Sequence, residues 1–283
     1  MIKLVITDLD NTLYNWLAYF VPAFFGMAGK VAEILDLPLD EVITQYRQLN
    51  HQHNNVEPSY STLALPCVLN KYPNKSQMEL KEIFEPAFAL FRSGRKEKLR
   101  LYSGVMKTLN AIRKQGILIV GCSDSTLEAL QKRLTILKIE SKFARLYVRE
   151  NTFVCSIKKP PEMPVVVKEM AHAASKPNPE LLLTICKDMG VAPHEAVYVG
   201  DSHLRDIGMA NLAGITSVWA RYGSIARKAI LNQIRLVSFH SPAENKRCEL
   251  VLGNASREPK YTIHRYSQVL EIIKEENKRK IPL

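Results

Sequence analysis

Five short apolar runs, rich in β-branched residues, punctuate the chain: IKLVIT (2–7), ILIVGCS (117–123), ARLYV (144–148), AVYVGD (196–201) and ITSVWA (215–220). Runs of this length without polar alternation suit strands covered on both faces. Helical patterns lie between them. GVMKTLNAIRKQG (104–116) puts Val105, Met106, Leu109 and Ile112 on one face, with Ser103 placed to cap it and Gly116 to end it. PELLLTICKDMG (179–190) opens on Pro179 and closes on Gly190, and LRDIGMANLAG (204–214) closes on Gly214. Strand–helix–strand units of this size predict an α/β fold with a doubly wound parallel sheet.

One stretch breaks the alternation. Residues 14–102 carry helical patterns and no convincing strand. LPLDEVITQYRQLN (37–50) reads as one helix, and Ser76-Gln77-Met78-Glu79 is a capping box opening another that runs to about Phe91. Nearly ninety residues are too many for a loop. The pattern predicts a core domain of 1–13 and 103–283 and a smaller all-helical domain, 14–102. Candidate hinges lie near Leu13 and near Ser93-Gly94-Arg95. Trp16, Tyr19, Phe20, Phe24 and Phe25 recur at helical spacing, as a helical core or the lining of a substrate pocket. His51 and His53 read as a polar helix end. Residues 149–175 exceed a short connection, about 223–260 fit no element, and YTIHRYSQVLEII (261–273) suggests a final strand and helix.

With 283 residues, 46% hydrophobic and 24% charged, the chain has the composition of a soluble globular protein. Its net charge is +11, and residues 221–283 hold thirteen Lys/Arg against six Glu. Such a face attracts phosphorylated metabolites, nucleic acid or acidic membranes, or serves as a solvated tail. No nucleic-acid-binding motif accompanies it. Cys67, Cys122, Cys155, Cys186 and Cys248 form no C-x-x-C pair, and their odd number fits reduced thiols in the cytoplasm. The apolar stretch Leu13–Met27 is too short for a bilayer and is interrupted by Asn15 and Pro22, so neither a membrane span nor a leader is expected.

Ligands of open parallel sheets bind beyond the carboxyl ends of the strands. There the first run ends in Asp8 and Asp10, the second in Ser123 followed by Asp124, and the fourth in Asp201 with Asp206 nearby. Lys176 precedes the 179–190 helix. Carboxylates this close repel unless a cation lies between them, and an all-oxygen donor set points to Mg²⁺ over Zn²⁺. A hydroxyl and a lysine beside such a cation suit a transferring phosphoryl group.

This arrangement resembles the haloacid dehalogenase superfamily. DLDNT (8–12) is similar to its D-x-D-x-T motif, Ser123 to its strand-ending Ser/Thr, Lys176 in SKPNPE to its lysine, and GDSHLRD (200–206), followed by ANLAGITSV, to its G-D-x-x-x-x-D. The resemblance covers about 1–13 and 103–220 and puts the helical insert where the family carries a cap. It implies a Mg²⁺-dependent phosphatase for a small phosphomonoester, with DNTLY as in pyrimidine nucleotidase-like relatives, so a nucleoside monophosphate is one candidate substrate. It implies Asp8 as nucleophile and Asp10 as general acid and base. Ser123 and Lys176 would hold phosphoryl oxygens, with Asp124 beside them on the substrate. Asp8, Asp201, Asp206 and the backbone carbonyl of Asp10 would hold the metal. Other chemistries of the family are a phosphomutase or a dehalogenase, and Asp10 argues against the latter. A non-catalytic protein binding nucleic acid through the basic C-terminal region is the alternative from another class. His203, inside the fourth motif, is either a pocket-rim or a plain surface residue, and Ser125 is an alternative cap for the helix after Ser123.

Overall fold

The computed structural model of the chain describes residues 1–53, 55–57, 60–151, 163–171, 175–238 and 242–279, and of 242–244 the backbone alone. Cys155 and much of the 149–175 stretch lie outside the described residues. Seven strands form one sheet: β1 (Leu4–Thr7), β2 (Leu118–Thr126), β3 (Arg145–Arg149), β4 (Val166–Met170), β5 (Ala196–Gly200), β6 (Thr216–Ala220) and β7 (Tyr261–Ile263). Their order is β4-β3-β2-β1-β5-β6-β7, and every pairing is parallel. The chain therefore winds outward from β1 on one side, then returns to build the other side from β5. The loops after β1 and β5 diverge at that reversal and leave a crevice, the place where open sheets of this type bind ligands.

Among the described residues, twelve α-helices accompany the sheet. Six precede β2 without an intervening strand, and the first five form the helical block: α1 (Trp16–Leu35), α2 (Leu39–His53), α3 (Pro66–Lys71), α4 (Gln77–Ile83) and α5 (Glu85–Lys98). Then come α6 (Val105–Lys114), α7 (Leu127–Leu137), α8 (Pro179–Asp188), α9 (Gly208–Leu212), α10 (Lys228–Val237), α11 (Pro242–Leu252) and α12 (Val269–Arg279). Alternation along β1 separates two apolar layers. Val5 joins a core with α6, α7, α12 and the five N-terminal helices. Leu4 and Ile6 face a second core with α8, α9 and Leu252 of α11.

Several local expectations are corrected. The helix expected from Ser76 to Phe91 is two helices, α4 and α5, because Pro86 is placed to start a new helix and cannot donate within an old one. The Ser76–Glu79 capping box is present. Gly94 is no hinge: it lies inside α5, where a Cβ would come within 3.0 Å of the Ala23 Cβ, so it lets α1 and α5 pack closely. The chain leaves the helical block later, where Tyr14 bridges Leu101 and Tyr102 N–H donates to the Leu13 carbonyl at 2.9 Å. Gly104, not Ser103, occupies the N-cap of α6.

Asn15 does not interrupt the first helix but caps it, its Oδ1 accepting from Ala18 N–H at 2.9 Å, and α1 runs on through Pro22. By length and composition α1 is long and apolar enough to cross a membrane. Half of it is buried in the protein, Tyr19, Phe20, Phe24 and Val31 included. β2 extends three residues beyond its expected end, and β4 falls in the 149–175 stretch. The 223–260 region supplies α10, which packs on α1 and α2, and α11, which packs on α9. Asn50 of α2 donates to the Val237 carbonyl of α10 at 2.9 Å. The last strand and helix are found as β7 and α12, with Tyr266 between them.

Candidate active site

β1 delivers Asp8 to the crevice. Its N–H still donates to the Val199 carbonyl at 2.8 Å, so the ladder fixes its position. The chain then turns sharply at Asn11, whose φ of 57° is left-handed, a conformation that asparagine tolerates better than most residues. Across the crevice Gly223 closes on this turn. A Cβ there would lie 1.9 Å from the Asn11 carbonyl oxygen and 2.8 Å from the Asp201 Cβ, so glycine is required. Tyr222 O–H donates to the Thr12 carbonyl at 2.7 Å.

Lys176 stands at the centre, buried. Its Nζ lies 2.5 Å from Asp8 Oδ1 and 2.9 Å from Asp206 Oδ1. Asp206 also accepts from Tyr198 O–H at 2.7 Å and Ser202 N–H at 3.0 Å, so both of its oxygens are held by the protein. The expected helix 204–214 begins instead as a π-helical turn, His203–Ile207, followed by α9. A π turn is a common device at functional sites; here it wraps Ser202 and Asp206 together.

One oxygen each of Asp8, Asp201 and Asp206 lies within 4.8 Å of the others. Burial pushes the Asp8 carboxyl up to about 7; Lys176 pulls it down, while Asp206 and Asp10 add to the rise. Burial, with repulsion from Asp8 and Asp206, holds Asp201 well above the usual carboxylate range. Desolvation opposes the charge of Lys176, but Asp206 and Asp8 outweigh it and hold its ammonium well above the ordinary value. Three carboxylates sharing one lysine form an acidic, oxygen-only cradle short of positive charge. That donor set fits a hard divalent cation such as Mg²⁺.

The Asp10 side chain points away from that cradle. Its Oδ2 accepts from Ser125 Oγ at 2.9 Å and Ser123 Oγ at 3.3 Å, and pairs with Arg133 Nη2 at 3.4 Å. Its Oδ1 is buried and has no hydrogen-bond partner among the described residues. Arg133, fully buried on α7, also donates to Tyr19 Oη at 3.0 Å and pairs with Glu57. It thus ties Asp10 to the helical block.

Asp124 pairs with Arg205 and accepts from Lys176 N–H at 3.1 Å, so it braces the lysine's loop. Arg247 of α11 donates to the Lys176 carbonyl at 2.8 Å. Ser123, three residues before the end of β2, is buried and receives the Ser125 N–H at 3.1 Å. Asp8, Asp10, Ser123, Asp124, Lys176, Asp201 and Asp206 all line one cavity of about 300 Å³, joined by Asn55, Val56, Glu57 and Trp16 from the helical block.

His203 lies elsewhere. Its ring packs 4.1 Å from that of Trp219 and its Nδ1 donates to the Arg257 carbonyl at 2.9 Å, so it fastens the C-terminal segment. His51 and His53 end α2, as expected of a polar helix end. Sequence reasoning missed Glu57, Arg133, Gly223 and Arg247, and read Ser125 as a helix cap. The cap position of α7 belongs to Thr126.

A family model for haloacid dehalogenase-like hydrolases matches residues 2–214. The chain is 25% identical over 227 residues to the glyceraldehyde 3-phosphate phosphatase of Methanopyrus kandleri, covering 79% of this chain and 85% of that one. It is 25% identical over 235 residues to the phosphoglycolate phosphatase of Shigella sonnei, covering 78% and 82%. Among solved structures, the 2-haloacid dehalogenase of Pseudomonas syringae pv. Tomato DC3000 superposes with a TM-score of 0.57 over 97% of this chain and 99% of that one, at 20% identity, a likeness of fold.

Proposed function

Since this chain belongs to the haloacid dehalogenase-like hydrolases, we propose that it is a Mg²⁺-dependent phosphatase acting on a small phosphomonoester. The observation that carries the reading is Lys176 at 2.5 Å from Asp8, inside a cradle with Asp201 and Asp206. The similarity to phosphatases acting on glyceraldehyde 3-phosphate and phosphoglycolate supports it. A nucleoside monophosphate is a further candidate. The helical block 14–102 serves as the cap over the sheet's crevice.

In this mechanism Asp8 attacks phosphorus, forming an aspartyl-phosphate as the ester P–O bond breaks. Asp10 gives its proton to the departing oxygen, then takes one from the water that attacks the aspartyl-phosphate and frees phosphate. Ser123, Ser125 and Arg133 hold one of its oxygens and so orient the carboxyl for that transfer. Ser123 turns its hydroxyl to a phosphoryl oxygen when substrate enters, and Lys176 holds another while offsetting the charge of Asp8. Mg²⁺ would be held by Asp8, Asp201, the Asp10 carbonyl and Asp206, directly or through water, and would supply charge that offsets the carboxylates and the phosphoryl group.

The test is phosphate release from a panel of phosphorylated metabolites, with Mg²⁺ and with chelator. Release that depends on Mg²⁺ is expected. Folded protein supplied with Mg²⁺ that releases none from the panel or from an aryl phosphate would sink the reading.

A further inference from the structure

A second cavity, of about 190 Å³, adjoins the first through the shared residues Val56 and Glu57. It lies between α1, α5, residues 60–62 and α7. Phe20, Phe24, Met27 and Phe88 form a buried wall, with Tyr60 set edge-on to Phe88 at 5.2 Å between centroids. A dry cavity of about 150 Å³ already admits benzene, so this one has room for a ring. Aromatic walls in edge-on and stacked arrangements suit such a guest.

The charged part of the lining is Glu57, Arg92, Arg95 and Lys132. Arg92 is paired with Glu85, and Glu57 with Arg133. Arg95 is different: its Nε is buried without a hydrogen-bond partner among the described residues, and its guanidinium carbon lies 5.7 Å from the Phe91 ring centroid. Burial lowers the Arg95 value from that of an ordinary guanidinium; Tyr19 and Glu57 oppose the fall, and Arg133 and Arg92 add to it. Lys132 reaches the same cavity from the exposed side of α7. The acid of this lining, Glu57, is paired with Arg133, so Arg95 has no ion pair of its own among the described residues and can take a further anion.

We propose that this cavity receives the leaving group of the substrate, and that the leaving group is a ring-sized apolar body carrying an anionic group, which Arg95 and Lys132 hold. The proposal rests on the phosphatase reading above and names its substrate class. Phosphate sits among Asp8, Ser123 and Lys176, the ester oxygen faces Asp10, and the body passes Val56 and Glu57 into the aromatic cavity. A two- or three-carbon hydroxyacid phosphate would leave that wall and Arg95 unused. No co-reactant is needed beyond water.

The experiment compares kcat/KM of the full chain with Mg²⁺ for phenyl phosphate, 4-carboxyphenyl phosphate and phosphoglycolate, in wild type, Arg95→Met and Arg95→Lys. Both variants are checked for folding by their melting transitions. The carboxylated aryl ester is expected to exceed phenyl phosphate by on the order of tenfold or more. Phosphoglycolate is expected to fall below both. Arg95→Met should bring the two aryl esters to within about twofold of one another and Arg95→Lys should keep most of the gap, because an ammonium retains the charge but not the fork. Leaving-group reactivity is common to all three proteins and cancels in that comparison. An unchanged ratio in Arg95→Met, or phosphoglycolate as the best substrate, overturns the proposal and leaves the phosphatase reading standing. No turnover of any of the three by folded protein overturns the phosphatase reading, and the proposal with it.

Discussion

The two cavities share a wall, yet are built on opposite terms. In the first, the acidic and basic groups come from β2 and from the segments after β1, β4 and β5, and their charges answer one another: Lys176 with Asp8 and Asp206, Asp124 with Arg205. In the second, the lining comes largely from side chains three or four residues apart on α1 and α5, an aromatic wall with Glu57, Ser61, Thr62 and three cations around it. A sheet ladder can hold reacting groups to ångström tolerance, which phosphoryl transfer demands. A helical face offers area and shape and can change its lining without disturbing the ladder. The division suggests that chemistry belongs to the sheet and choice of substrate to the helical block, joined by Arg133, which reaches Asp10 on one side and Glu57 on the other.

The sharpest way to separate them is Asp8→Asn. It should lower phosphatase turnover by on the order of 10⁴-fold or more, while leaving ligand binding in the aromatic cavity in place. Removing divalent cations with chelator should also take activity to background, and added Mg²⁺ should restore it; activity indifferent to chelator would contradict the carboxylate cradle. Arg133→Met attacks the joint. It leaves the partly buried carboxylates of Glu57 and Asp10 without their cation and should cost about 2–3 kcal/mol of stability, read by urea unfolding. A change below about 1 kcal/mol would mean that the network does not hold the two regions together.

Gly223→Ala tests the turn at the mouth of the first cavity. Its Cβ must displace Asn11 or Asp201, at a cost of about 1–3 kcal/mol, and it should lower kcat more than it raises KM. A variant with wild-type kcat would show the turn to be tolerant. The smallest effect is expected from Ile234→Ala on α10, which is only partly covered by the N-terminal helices. About 1 kcal/mol of stability should be lost with kcat/KM unchanged.

The sheet's central part was legible because its strands are buried on both faces and read as unbroken apolar runs. The motif residues were legible because each ends such a run or opens a helix. β4 was not: it is an edge strand with Val166 and Lys168 largely exposed, so no apolar run marks it. α10 and α11 were missed for a related reason. They cover parts of other helices, with Leu236 and Leu250 left exposed, so burial is thin; the periodicity is faint in α11, though not in α10. Arg133 and Glu57 looked like ordinary surface charges because sequence shows neither that α7 faces Asp10 nor that residue 57 returns to the crevice. Their pairing is 76 residues apart in the chain. A charged residue between Gln131 and Leu134, both on the buried face of α7, was the only signal available.

The most direct measurement of the central claim is a rapid acid quench of the protein turning over a phosphomonoester, followed by mass mapping of the phosphorylated peptide. One phosphoryl group on Asp8, absent from Asp8→Asn, is the expected result. A folded Asp8→Asn protein that hydrolyses the ester at the wild-type rate, with no phosphoryl group at position 8 in either protein, would contradict it.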